Sequence, residues 1–170
     1  MAVSARQERA WVRAAQAGSA SAVEALFRLH WPSAYRAAYL VVHDGAAAED
    51  IAQEAFLAAI RRLDRFDRTR PFGPWLHRIV VNRAIDWARA RRLRSEAELV
   101  DAFAAEHVSE VSDATVAALA TLPPEHRAVI VLRHLLGYTP GEIAELLGLP
   151  RGTVNSRLRR GLDRLKELQA

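Results

Sequence analysis

Cysteine is absent from the 170-residue chain, which excludes disulfides, thiol nucleophiles and thiolate metal sites. Lysine is nearly absent: of 24 basic residues only Lys166 is not arginine. Glycine numbers eight and aromatic residues make up 7%, and no stretch alternates like a strand, so the pattern reads as all-α. No run approaches the roughly 20 apolar residues that cross a bilayer. The opening MAVSARQERAWVRAAQAG is charged throughout and lacks the apolar centre of a signal peptide. A cytoplasmic chain without membrane insertion is therefore expected. The six histidines show no metal-ligand spacing, no carboxylates are paired for acid–base work, and no glycine loop cradles phosphate. No catalytic residue, metal or cofactor is expected, and the chain does not read as an enzyme.

What is present is charge of uneven distribution. Net charge is +4. Residues 1–95 carry 16 basic and nine acidic side chains, residues 96–112 none and five, and residues 113–170 eight and six. Arginine suits bidentate contacts to phosphate and guanine, although a GC-rich genome produces the same bias. The acidic stretch divides two helical blocks. The expected organisation is an N-terminal extension over 1–17, a first block over 18–95, a linker over 96–112 and a second block over 113–168. Each block has the length of a small helical domain.

In the first block, Ser21 to Val42 reads as one helix or two, with Pro32 at a kink or break. A second helix is expected from about Ala47 to Phe66, burying Phe56, Ile60, Leu63 and Phe66. After the loop DRTRPFGP, Pro74 suits the first turn of a helix running to about Arg92. That helix is apolar on two sides. Trp75, Leu76, Ile79, Val80 and Trp87 form one, Val81, Ile85 and Ala88 the other, so it belongs at the centre of a bundle. Its remaining stripe is Arg78, Asn82, Asp86 and Arg89. Spacing alone fits either nucleic-acid contact or a solvated face. On the preceding helix Asp50, Glu54, Leu57 and Arg61, with Gln53 beside them, form another outer stripe. Its acids would repel DNA, so it suits a protein partner or plain solvent.

The second block ends in LPRGTVNSRLRRGLDRL, a stretch with five arginines. Thr139, Pro140 and Glu142 have the form of a capping box with proline at the first helical position. A short helix follows with Ile143, Ala144 and Leu147 inward, Gly148 supplies the turn, and a helix begins near Pro150. This is the layout of a helix-turn-helix. Val154, Leu158, Leu162 and Leu165 fall within an arc of roughly 80° and are expected to be core. The opposite side carries Thr153, Ser156, Arg157, Arg160 and Arg164, flanked by Asn155 and Arg159. These residue types read base edges and phosphates.

HDGAAAEDIAQEAFLAAIRRLDRF, PWLHRIVVNRAIDWARARR and TLPPEHRAVIVLRHLLGYTPGEIAELLGLPRGTVNSRLRRGLDRL together resemble the extracytoplasmic-function sigma factors of bacteria, members of the sigma-70 family. The resemblance covers about 140 residues, with three motifs in order. It implies a two-domain initiation factor, with sigma region 2 in the first block and region 4 in the second. Such a factor binds core RNA polymerase, directs it to promoter DNA and helps open the duplex. By this resemblance Asp50, Gln53, Glu54, Leu57 and Arg61 dock on the polymerase clamp. Arg78, Asn82, Asp86 and Arg89 lie on the −10 element, and the loop from Asp67 through Arg68, Thr69 and Arg70 to Phe72 holds an extruded base. Thr153, Asn155, Ser156, Arg157, Arg159 and Arg160 meet the −35 element, with Arg159 and Arg160 at base edges and Arg157 at phosphate. The family also implies an anti-sigma partner and a monomer when free. Asn155 stands where relatives often have lysine or arginine, and Ile60 where tryptophan is common. Two other readings compete. A stand-alone helix-turn-helix regulator would bind duplex DNA without polymerase, as a dimer. A DNA-processing enzyme would need a nucleophile or metal cluster.

Overall fold

The computed structural model describes residues 3–97 and 112–168. Most of the expected linker, 98–111, lies outside the described residues; positions 96 and 97 still belong to the long fourth helix. Every regular element among the described residues is helical.

The expected extension is itself a helix, α1 (Ala5–Gln16), capped by the Ser4 hydroxyl and burying Val12 and Ala15 against the next helix. The Gln16 amide nitrogen donates to the carbonyls of Leu63 and Phe66 at 2.9 Å each, tying α1 into the first block. α2 (Ala20–Val42) runs unbroken through Pro32. An interior proline removes one helical hydrogen bond and costs roughly 3 kcal/mol. Packing against α1, α3 and α4 offsets that cost, because α2 is buried along most of its second half. His43 ends α2 in the left-handed region at φ 53°. Asp44 then caps α3 (Gly45–Arg61) by accepting from the Ala47 N–H.

α3 starts two residues before the expected position and stops before Leu63, where a 3-10 turn covers Leu63–Arg65. Phe56, Leu63 and Phe66 are buried as expected, but Ile60 is not. The inward face is completed by Ala52, Ala55 and Ala59, all fully buried. Small side chains let helix axes approach closely, and at that separation Ile60 falls on the outer side. α4 (Phe72–Ala97) is longer than expected. Its two apolar sides hold Leu76, Val80, Val81, Ala84, Ile85 and Ala88 in the core, while Trp75, Ile79 and Trp87 are only partly buried.

The second block comprises α5 (Asp113–Ala120), α6 (Pro124–Ile130), α7 (Pro140–Leu147) and α8 (Arg151–Glu167). α6 opens into a wider π-helical segment, Val131–Leu135, before Gly137 turns the chain at φ 74°. The Thr139–Glu142 capping box is formed in both directions. Leu146 and Ile143 are the buried residues of α7, with Ala144 and Leu147 only partly covered. On α8, Val154 and Leu158 are buried, and Gly161 rather than Leu162 takes the next core place. A β-carbon on Gly161 would stand 2.6 Å from Ile130 Cδ1, so a larger residue at the α6–α8 crossing would have to displace the end of the Ile130 side chain.

The two blocks are packed on one another. α6 lies against α2 and α4, α7 against α4, and their buried side chains form one continuous cluster.

Candidate nucleic-acid and partner interfaces

The outer face of α3 presents Asp50, Gln53, Glu54, Leu57 and Arg61, all exposed. The opposite face holds Ile51, Ala52, Ala55 and Phe56 in the core, so the direction of the stripe follows from burial. Leu57 is 53% exposed and Ile60, three residues on, 38%. Residues three apart are neighbours on a helix, so Ile60 widens an apolar spot set among charges. Gln53 donates to Glu49 at 3.2 Å. Arg83 reaches across from α4 to pair with Glu54. The arrangement suits a protein surface that buries a small apolar centre inside a polar rim.

The α4 stripe is placed as expected in direction: Arg78, Asn82, Asp86 and Arg89 are exposed on one side of a helix otherwise buried. The loop before it has a built shape. Asp67 Oδ1 accepts from the Thr69 N–H at 2.9 Å and its hydroxyl at 2.7 Å, and the Arg70 N–H donates to the Asp67 carbonyl. The two Thr69 bonds, the hydroxyl's first, hold the Asp67 carboxyl below its ordinary range. Asp67 thus shapes the turn, while Arg68, Thr69 and Arg70 are exposed upon it. Phe72 belongs to the core instead, packed with the rings of His30, Phe66 and Trp75, so the accessible loop ends before it.

A cavity of about 880 Å³ opens beside this loop. Arg62, Arg65, Arg70 and Arg78 line it with Phe66 and Trp75, and its other wall is Tyr138, Glu142, Glu145 and Leu146 of the second block. At the far end of the stripe, Arg89 pairs with Glu125 of α6 and lies 4.0 Å from Asp86. Burial pushes the Glu125 carboxyl up, but its backbone hydrogen bond and Arg89 outweigh that and leave it below the ordinary carboxylate value.

α8 stands on the turn set by the capping box and by Gly148 at φ 65°. The Leu149 N–H closes that turn on the Ala144 carbonyl at 2.9 Å. Asn155, Arg159 and Arg160 are exposed, whereas Thr153, Ser156 and Arg157 are partly covered. The covered residues, with Arg160, border a cleft of about 500 Å³ whose other wall is Glu125 and His126. Burial and then Arg157 lower the His126 pKa.

Four residues with evident roles were not anticipated. Arg127 is a buried cation, 8% exposed. It donates to the carbonyls of Leu119, Ala120 and Leu122 in its own block and to Val41 at the end of α2. His77, 6% exposed, bonds the Tyr138 hydroxyl through Nδ1 at 2.7 Å and the Ser33 hydroxyl through Nε2 at 3.0 Å. Arg83, beside Asn82, steadies Glu54. The sequence carries a weak signal for His77, which sits on the apolar side of α4 between Leu76 and Arg78. It carries none for the reach of Arg127 to Val41, 86 positions away, or of Tyr138 to His77, 61 positions away. Among the described residues no helix is long and apolar enough to cross a membrane.

Comparison with known proteins bears on these surfaces together. Residues 26–94 match the family model for sigma-70 region 2, and residues 112–165 the model for sigma-70 region 4. The chain is 36% identical over 155 residues to the ECF RNA polymerase sigma factor SigM of Mycobacterium tuberculosis, covering 89% of this chain and 79% of that one. It is 33% identical to the ECF RNA polymerase sigma factor SigW of Bacillus subtilis, over 78% and 81% of the two chains. Its fold superposes with a TM-score of 0.72 on CnrH, solved in complex with the cytosolic domain of CnrY. That match is 29% identical and covers 95% of this chain and 96% of CnrH.

Proposed function

The chain belongs to the sigma-70 family as an RNA polymerase sigma factor of the extracytoplasmic-function type, and from that premise we propose how its surfaces divide the work of initiation. A sigma factor has no catalytic activity of its own; it directs the polymerase to promoters. The outer stripe of α3, Asp50, Gln53, Glu54, Leu57 and Arg61, docks on core polymerase. The α4 stripe and the 67–71 loop take the −10 element. Asn82 reads a base, Arg78 and Arg89 meet phosphate, and the arginine-lined cavity accepts an extruded nucleotide. Unstacking a base costs a few kcal/mol, which the aromatic floor of Phe66 and Trp75 and the surrounding arginines offset. α8 enters the major groove at the −35 element through Asn155, Ser156, Arg159 and Arg160, with Thr153 and Arg157 at its edge. The domain limits 18–95 and 113–168 follow this division, with α1 added to the first.

The single observation that carries this division is the coexistence of three exposed helical surfaces of different chemistry on one chain. A lone repressor uses one DNA face and has no need of the acidic, leucine-bearing stripe of α3. The protein works in the cytoplasm as a monomer, and helps open the duplex once polymerase holds it. An anti-sigma protein is a further partner, supported by the likeness to CnrH, whose structure contains the cytosolic domain of CnrY.

Reconstitution tests the reading. The purified chain, core polymerase and a promoter library are combined and the transcripts sequenced; a shared pair of upstream elements is expected, and random starts would sink the proposal. Glu54→Arg is expected to weaken polymerase binding about tenfold or more by placing a cation where an anion is recognised. Circular dichroism should be unchanged, since Glu54 is exposed. Unaltered affinity would remove α3 from the docking surface.

A further inference from the structure

The 67–71 loop and the cavity beside it are supported from a side that carries none of the surfaces assigned above. α1 lies before residues 26–94, the part that matches sigma-70 region 2, yet it reaches both ends of the loop. At the entry, the Gln16 amide donates to the carbonyls of Leu63 and Phe66, at 2.9 Å each. At the exit, the Glu8 carboxylate pairs with His30 Nε2 at 3.0 Å. The His30 ring lies against that of Phe72, with 5.2 Å between centroids. A β-carbon on Gly73 would stand 3.2 Å from the same imidazole. Val12 and Ala15, both buried, seat α1 itself.

Gln16 suits the entry by its chemistry. Both of its partners are carbonyl oxygens, so the amide must present its nitrogen, which has two N–H donors. The Leu63 carbonyl also accepts from the Phe66 N–H at 3.1 Å within the 3-10 turn. The Phe66 carbonyl belongs to the peptide that leads into Asp67. There the backbone leaves the turn for the extended region, at φ −72° and ψ 128°. A peptide is planar, so a bond to that oxygen sets the direction in which the loop departs. The loop's own bonds, from Thr69 and Arg70 to Asp67, continue from this point. The Phe66 ring meanwhile sits 4.6 Å from that of Trp75. Phe66, Arg70 and Trp75 all line the cavity, whose far wall stands across the joint between the two blocks.

We propose that Gln16 is a positioning residue for base capture: by holding the Phe66 carbonyl it sets the spacing between the aromatic floor and the arginines that receive the extruded nucleotide. The proposal rests on the assignment of this loop and cavity to the −10 element. Gln16 touches no DNA; it acts through Phe66 and the turn that follows. A pocket discriminates by close fit, and a displacement of about 1 Å is enough to lose it. α1 is thus part of the −10 site without contributing a contact to it.

The test compares initiation by reconstituted holoenzyme on one promoter from the transcript library, rebuilt with each base in turn at every −10 position. Gln16→Met keeps the length of the side chain and removes both donors. Its preference for the favoured base is expected to fall about tenfold, the scale set by two lost hydrogen bonds. Gln16→Asn keeps the amide but withdraws it by one carbon, and should show the same loss in smaller degree. Affinity for core polymerase and the response to −35 changes should stay at wild-type values, because those surfaces lie on α3 and α8. Ser4→Ala is the control. The Ser4 hydroxyl caps α1 by accepting from the Gln7 N–H at 3.2 Å, so its loss costs stability and leaves the Gln16 bonds in place. That variant should melt at a lower temperature and keep the base preference. Wild-type preference in both Gln16 variants would overturn the proposal. So would an equal fall in Ser4→Ala, which would reduce Gln16 to a contributor to stability. A wild-type holoenzyme without preference at any −10 position would overturn the assignment of the loop made above, and the proposal with it, whatever Gln16 bonds.

Discussion

α4 and α8 carry the two arginine-bearing faces, and they differ in what lies above them. α4 is central: α2 and α3 cover one side and the second block reaches its other flank. Its exposed stripe is narrow, contains an acid in Asp86, and ends in an arginine already paired with Glu125. α8 is terminal and packs on α6 and α7, leaving Asn155, Arg159 and Arg160 open. Equal-looking basic faces are thus unequal in availability. Position in the bundle, more than composition, decides which of them meets solvent free of protein.

The largest test of that contrast is Arg127→Ala. The substitution strips a donor from four carbonyls in both blocks, and unsatisfied buried polar groups are expensive. A loss of roughly 3–5 kcal/mol is expected, read by urea denaturation. α8 should lose its scaffold together with the joint that covers α4. An Arg127→Ala chain of wild-type stability would mean that the two faces are supported independently.

Acid supplies the next test. Burial, followed by the charge of Arg127, lowers the His43 pKa to about 3, and burial, followed by His30, lowers that of His77 to about 4. The His43 ring nitrogens find no hydrogen-bond partner among the described residues. Both folded pKa values lie below the unfolded value, so the unfolded chain binds protons first as pH falls. Stability is complete above about pH 6.5 and is lost from there down towards pH 4 for His77 and pH 3 for His43. Between pH 7 and pH 5 about 2 kcal/mol is expected to go for each. His77→Gln should remove its share of that slope, and an unchanged slope would show that His77 takes up its proton while folded.

Much of this architecture is legible in sequence because helical periodicity sorts inner from outer faces. The α4 stripe and the α8 surface were readable for that reason, as was the Thr139 box, whose partners are three residues apart. What escaped depends on distance or on close fit. Arg127 looks like any basic residue in a helical turn, and its Val41 acceptor is 86 positions away. Ile60 and Leu162 looked like core because they are large and apolar. Alanines and a glycine took those places, since close helix contact selects for small side chains. The run AVIVL over 128–132 is apolar and buried at every position, so its period cannot distinguish an α-helix from the π-helical widening that begins at Val131.

Arg160→Ala sharpens the comparison at the level of reading. Arg160 is exposed on α8 at the edge of the cleft with Glu125. An arginine on a guanine edge discriminates by roughly 1–3 kcal/mol. Initiation should fall by that amount on the preferred −35 sequence and far less on sequences altered at the contacted base pair. Equal loss on every sequence would assign Arg160 to phosphate. Arg89→Ala on α4 should behave differently, because removing it also frees Glu125 and loosens the joint.

The smallest expected effect comes from Thr139→Ala, and it separates support of the helix-turn-helix from support of the joint. The Thr139 hydroxyl accepts from the Glu142 N–H at 3.3 Å, and the Glu142 carboxylate accepts from the Thr139 N–H at 2.7 Å. Loss of a capping hydroxyl costs about 1 kcal/mol, which in a chain of this size lowers the melting temperature by roughly 2–4 °C. Thr139 follows Tyr138 directly, and α7 carries both the core residue Ile143 that seats α8 and the glutamates facing α4. If the cap serves only the start of α7, the His77–Tyr138 contact persists, and the distance between spin labels at Arg28→Cys on α2 and Lys166→Cys on α8 is unchanged. If the cap also aims Glu142 across the cavity, that distance lengthens with the loss of stability, and the packing of the second block on α4 depends on the same capping box that starts α7 of the helix-turn-helix.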